Sequence, residues 1–115
     1  MIDFERHITD GGTLVLRVVG RLDEDSNKYF FTCVQDEIED GHAKIVINLA
    51  GVGYISSVGL GALLRARSRV AKSGGTVFLT RIENQVLDAF RLVNFQSVFK
   101  IFPSEREATA AIEKT

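Results

Sequence analysis

The segment Val52–Val70, "VGYISSVGLGALLRARSRV", joins a β-like run to a helix-like one and carries two adjacent serines at the join. From Val58 onward the period is helical. Leu60, Leu63, Leu64, Val70 and Ala71 mark one face, and Arg65, Arg69 and Lys72 lie on another. Ser73-Gly74-Gly75 stops this helix. Upstream, "KIVINL" is a short apolar run of the kind found in strands buried on both faces. Ser56 and Ser57 therefore stand where a strand hands over to a helix. Neither has a histidine, lysine or carboxylate beside it that could activate it as a nucleophile. The ordinary role of a serine in this place is to cap the helix, its hydroxyl accepting from an otherwise unpaired backbone N–H.

The elements on either side have equally readable periods. Residues 4–8 and 13–19 are predicted as strands. In the second, Leu14, Leu16 and Val18 share one face, and Val15, Arg17 and Val19 the other. Asp10-Gly11-Gly12 between them suits a hairpin, and Gly20 is expected to end the second strand. The next segment turns helical: Phe30, Val34 and Ile38 recur at four-residue spacing, with Phe31 and Cys33 widening the stripe. Asp23, Glu24 and Asp25 crowd its start, where carboxylates oppose the positive end of the macrodipole, and Gly41 suits the position past its end. After "TVFLT", a further buried strand, "ENQVLDAFRLVN" is a helix with Val86, Phe90 and Val93 inward and Asn94 at its end. "VFKIF" is predicted as a last strand. A final helix follows Pro103, with Ser104 and Glu107 at capping-box spacing and Ala108, Ala111 and Ile112 on its buried side.

Strand–helix–strand crossovers between parallel neighbours are almost always right-handed. Three of them after a hairpin predict an α/β fold: an N-terminal antiparallel hairpin joined to a mostly parallel mixed sheet of about five strands, with about four helices. Residues 1–115 make one domain, because halves of this chain are too small to form separate cores. No internal repeat, low-complexity tract or linker interrupts it.

Composition narrows the function classes. Hydrophobic residues make up 45% and charged residues 25%, ordinary values for a globular chain. The net charge of −1 supplies no field to recruit nucleic acid or anionic membrane, so neither is an expected direct partner. The N-terminus, "MIDFERHITD", lacks the apolar core of a signal peptide, and no apolar run approaches membrane-spanning length. A cytoplasmic location is expected. Cys33 is the single cysteine, which rules out an internal disulfide, and with only His7 and His42 besides, a structural zinc site is not expected.

Enzyme motifs are missing. There is no Gly-x-x-x-x-Gly-Lys-Ser/Thr phosphate loop. "GLG" at 59–61 starts like a dinucleotide fingerprint, but Leu64 holds the third glycine's place and the run lies inside the helix, so Gly61 is assigned to packing. Gly-x-Ser-x-Gly is absent. His7 and His42 are expected to be solvated surface residues. The chain is not expected to be an enzyme, and no cofactor is expected.

The order of elements, "VVGRLDEDS" after the second strand, and "INLAGVGYISSVGLGALL" followed by "SGGTVFLT" resemble the STAS family, from about Leu14 to the last helix. These are small bacterial anti-sigma factor antagonists and related domains on sulfate transporters. In that family the usual motif is Asp-Ser-Ser-Gly-Leu, whose first serine is phosphorylated by an anti-sigma factor that is itself a serine kinase. Through Gly59-Leu60-Gly61, the resemblance places that serine on Ser57, the family's aspartate on Ser56 and its following serine on Val58. It makes Ser57 the implied phosphoacceptor, with Ser56 as second choice. Asp23, in the "GRLD" turn, matches another family position near the phosphoacceptor. The implied partner-binding set is Asp23, Ser56, Val58, Gly59, Arg65 and Arg69.

The function implied by the resemblance is partner switching. The unmodified protein would bind an anti-sigma factor kinase and free a sigma factor, phosphorylation of Ser57 would release it, and a serine phosphatase would reset it. A second possibility is a non-switching STAS interaction subunit of a lipid-transport ATPase or a stress-signalling scaffold. A flavodoxin-like enzyme or nucleotide binder is a third, which no motif supports.

Overall fold

The computed structural model describes all residues 1–115. Two antiparallel strands open the chain, β1 (Ile2–Ile8) and β2 (Leu14–Leu22), paired from Ile2↔Gly20 to Ile8↔Leu14. There follow α1 (Asn27–Glu39), β3 (Lys44–Ile55), α2 (Ser57–Lys72), β4 (Thr76–Thr80), α3 (Asn84–Leu92), a 3-10 turn at Phe95–Ser97, β5 (Ile101–Phe102) and α4 (Glu105–Ile112). Spatial strand order equals chain order, β1-β2-β3-β4-β5, and every pairing after the first is parallel. This is the predicted mixed α/β sheet with four helices.

Each crossover steps to the next strand on the same side, which sends α1, α2 and α3 to one face of the sheet. There Leu14, Leu16, Val18, Ile45, Ile47 and Leu79 meet Phe30, Leu63 and Phe90 in the larger apolar cluster. On the other face α4 buries Ala108 and Ile112 against Val15, Val46 and Phe78. The last strand and helix thus cover what the crossovers leave bare. The hydroxyl of Ser104 accepts from the Glu107 N–H at 3.1 Å, as the capping spacing predicts.

The structure lengthens three strands, β1 by beginning at Ile2. β2 passes Gly20 and runs to Leu22, with a register shift between Gly20 and Arg21. Gly20 has φ +122, and a Cβ there would strike the Met1 carbonyl, so glycine serves a bulge here and not a stop. β3 runs on past "KIVINL" to Ile55, because Val19–Leu22 pair with Gly51, Val52, Tyr54 and Ile55. Beyond Asn48↔Thr80 it no longer pairs with β4. β5 is shorter than "VFKIF". Phe95 and Phe99 instead turn inward and stack on Phe90, with ring centroids 5.3 and 6.2 Å away.

Several inward assignments also change. Leu64, Ala71 and Val93 are exposed, while Ala62, Ala66 and Ala89 are buried in their stead. Small side chains let these helices sit close to the sheet, and larger ones at their flanks stay in solvent. Gly61, expected to pack, has open space where a Cβ would stand. No acid occupies the first turn of α1, which begins after Ser26, and the 23–25 carboxylates belong to the preceding turn. His42 is tucked against the sheet edge, its side chain 18% exposed and its Nε2 3.6 Å from Glu37 Oε1.

Candidate functional site

The extension of β2 and β3 carries two chain segments to one end of the sheet: the turn Asp23–Ser26 and the junction Ser56–Ser57. Register sets Arg21 opposite Tyr54 and Leu22 opposite Ile55. The Ser56 N–H then donates to the Leu22 carbonyl at 3.0 Å. Leu22, which receives that bond, is the residue before Asp23.

The two serines divide the work at the start of α2. Ser56 precedes the helix in an extended conformation, and its hydroxyl accepts from Gly59 N–H at 3.2 Å. It is buried, 8% exposed, so its oxygen is neither open to a partner nor placed to accept a phosphate without losing the cap. Ser57 is the first helical residue and is exposed. No hydrogen bond occupies its hydroxyl, and the backbone N–H groups of this first turn beyond the one capped by Ser56 have no helical acceptor.

Gly59, predicted at the docking surface, is buried. A Cβ on it would collide with the Leu22 carbonyl and press on Ile55 Cγ1. Its lack of a side chain serves approach of α2 to the strand ends inside the molecule. Val58 is 37% exposed and faces outward next to Ser57.

Asp23 is engaged within its own turn. Its Oδ1 accepts from Asp25 N–H (3.1 Å) and Ser26 N–H (3.2 Å), while the Ser26 hydroxyl donates to the Arg21 carbonyl at 2.6 Å. Its other oxygen faces Arg21, Nε to Oδ2 3.3 Å. Burial opposes ionisation of this carboxyl, but Arg21 and the turn's N–H donors prevail and hold it below the usual carboxylate range. Arg21 also lies over the Tyr54 ring, 4.4 Å from its centroid.

Along α2, Arg65 is pinned to α1: its Nη2 donates to Asn27 Oδ1 at 3.3 Å and its guanidinium lies 5.4 Å from the Phe31 centroid. Arg69 and Lys72 are exposed beside it, and no ion pair involves any of the three. With Phe31 and Ser68 they rim a hollow of about 200 Å³. The cluster is an uncompensated positive patch about two to four turns along α2 from Ser57.

Gln85 is a site residue that the sequence did not reveal. Its Oε1 accepts from Ile55 N–H at 2.8 Å and its Nε2 donates to Ile55 C=O at 3.0 Å. The first turn of α3 thereby replaces the missing β4 partner at the end of β3, immediately before the serines. The link spans thirty positions of chain with no local signal.

The largest hollow, about 500 Å³, lies elsewhere, between β1 and α1, and includes Phe4, Tyr29, Cys33 and Glu37. Burial pushes the Cys33 thiol up to about 11, so little thiolate exists there near neutral pH. His7 is exposed on β1, far in the fold from the serines. No group of three His, Cys, Asp or Glu side chains is placed to hold a metal, and no helix is long and apolar enough to cross a membrane.

Comparison with known proteins matches residues 6–108 to the STAS domain model. BtrV of Bordetella bronchiseptica, assigned as an anti-sigma factor antagonist, is 32% identical over 79 residues, 69% of this chain and 67% of that protein. A Thermotoga maritima protein of the same assignment has a crystal structure that superposes with TM-score 0.86 at 26% identity, over 95% of this chain and 93% of that one. The Bacillus cell-fate determinant SpoIIAA in its phosphorylated form shares the fold, with TM-score 0.71 at 19% identity over 96% of this chain and 99% of that one.

Proposed function

The chain belongs to the STAS domain family, and we propose that it acts there as an anti-sigma factor antagonist switched by phosphorylation of Ser57. Unmodified, it binds an anti-sigma factor that is also a serine kinase, and a sigma factor goes free. Phosphorylated, it lets go, and a serine phosphatase resets it. The cytoplasm is the place of action, and the chain itself performs no catalysis and needs no cofactor. The relatives' assignments support the antagonist role.

The observation that carries the switch is the contrast between the serines: Ser57 exposed at the first helical position, Ser56 buried as the cap. A phosphoserine carries roughly −1.5 to −2 charges near neutral pH. On Ser57 it extends into solvent and leaves the Ser56–Leu22 and Ser56–Gly59 bonds in place. The domain keeps its fold. A docked partner, however, must desolvate that dianion or oppose it with a cation, and without one it is expelled. Val58 borders the contact, Asp23 adds a carboxylate at its edge, and Arg65 and Arg69 offer positive charge to acids of the partner.

The kinase supplies its own base and ATP, which is why Ser57 needs no activating neighbour. Incubation with the cognate kinase and ATP is expected to label the wild type and not Ser57→Ala. Stoichiometric labelling of the alanine variant overturns the assignment. The alternative, a non-switching STAS subunit of a lipid-transport ATPase or a stress-signalling scaffold, draws on one observation: Ser56 stands where an aspartate is usual. It requires that Ser57→Asp leave partner affinity unchanged.

A further inference from the structure

Arg21 stands at the end of β2, between Tyr54 and Asp23. Its side chain is 59% exposed, its guanidinium lies 4.4 Å from the Tyr54 ring centroid, and it meets a single carboxylate through one long contact, 3.3 Å to Asp23 Oδ2. Asp23 owes part of its ionisation to that contact, while its other oxygen holds the turn through the N–H groups of Asp25 and Ser26. Arg21 precedes Leu22, the residue whose carbonyl receives Ser56 N–H, so it stands on the strand end to which the serine junction is fastened.

We propose that Arg21 is the intramolecular counter-ion of a phosphate on Ser57, which it reaches by exchanging Asp23 for the phosphate. This rests on Ser57 being the phosphoacceptor. A phosphate dianion offers more charge than a carboxylate and three oxygens to a planar fork of donors, so the exchange favours the phosphate. Tyr54 keeps the guanidinium near the strand end in both states. Asp23 retains its bonds to the Asp25 and Ser26 N–H groups, so the turn persists. The exchange leaves the Asp23 carboxylate without its cation beside the docking edge, which adds a second negative charge against the partner. Phosphorylation would thus change two charges at the surface through one bond.

The test is independent of any kinase. Phosphoserine is installed at position 57 by genetic encoding, and the second ionisation of the phosphate is followed by phosphorus NMR. The other charges at this end, Asp23, Glu24 and Asp25 of the turn and Arg65 of α2, stay the same throughout. A nearby cation favours the dianion, so wild type should titrate below an unstructured phosphoserine, whose pKa is about 6. Arg21→Gln should raise the value by about half a unit or more, a magnitude modest for an opposite charge at close range because the site is exposed. Arg106→Gln, on α4, should not move it. In the same samples the Arg21 Nε–H resonance should shift on phosphorylation. Unchanged titration in Arg21→Gln, or an unmoved Arg21 resonance, overturns the proposal. Failure of a kinase to label Ser57 would instead strike the switch itself and leave this titration with its own answer.

Discussion

Ser56 N–H and the Leu22 carbonyl, 3.0 Å apart, fasten the start of α2 to the end of β2. Everything at the candidate site is referred to this bond. It puts the exposed Ser57 beside the Asp23 turn and leaves room for no side chain at position 59.

That crowding makes Gly59→Ala informative. The new methyl group would meet the Leu22 carbonyl, a backbone atom that cannot step aside cheaply. Overpacking of this kind costs about 1–3 kcal/mol. Thermal unfolding should show a Tm lowered by several degrees, whereas Gly61→Ala, with open space around it, should be neutral or stabilising through better helix propensity. Equal effects at the two glycines would refute the internal role given to Gly59.

Gln85 is predicted to matter through Ile55 alone. Gln85→Ala strips both backbone groups of Ile55 of their partner, at a cost of roughly 1–3 kcal/mol. Gln85→Glu keeps an acceptor for the N–H but sets a carboxylate against the carbonyl. Protonation restores a donor, so the carboxyl in that variant should have a folded-state pKa above its unfolded value. Its deficit relative to wild type should shrink as pH falls toward about 4. Denaturant titrations at pH 7 and pH 4 read this directly; a pH-independent deficit contradicts it.

Acid stability follows from two arginine-bound carboxylates. Arg6 donates twice to the buried Glu37, at 2.8 Å each, and Arg17 donates twice to Glu105, which Asn48 also meets. These hydrogen bonds hold both carboxyls below their ordinary value of 4.5, against the opposing effect of burial. A carboxyl depressed in the folded state stabilises fully above its unfolded pKa, and that contribution is lost as pH falls through the folded pKa. Tm should therefore be flat near neutrality and fall below about pH 4.5. Glu37→Gln should flatten part of that fall, and an unchanged acid limb would contradict the assignment.

The positive patch on α2 should govern association more than dissociation. Arg69 is exposed and unpaired, so Arg69→Glu should slow association with an acidic partner surface several-fold in low salt, with the difference fading as ionic strength rises. Stopped-flow or surface-based kinetics at two salt concentrations would show it. A salt-independent change would place Arg69 outside the electrostatic contact.

Much of this molecule was readable from periodicity. The hairpin, the order of elements and the buried strands follow from residues such as Leu14, Leu16 and Val18 alternating over a few positions. The strand ends did not. In "AGVGY" two glycines weaken the strand preference of Val52 and Tyr54, and pairing with β2 makes it strand. Gln85 and Ile55 meet only through tertiary structure. At Gly59 a missing side chain signals close approach without saying to what, and in the structure the neighbour is Leu22. Sequence allows Asp23 to be helix-start electrostatics or a site residue; in the structure it holds the turn and faces Arg21. The serine pair was legible as a junction, while which serine is buried depended on where α2 begins, a matter of one residue.

The decisive experiment compares the affinity of the cognate anti-sigma factor for the unmodified protein and for protein carrying phosphoserine at position 57, by calorimetry at one salt concentration. A loss of about 100-fold or more, near 2.7 kcal/mol, is predicted. Affinities equal within about threefold, less than 1 kcal/mol, would contradict the switch.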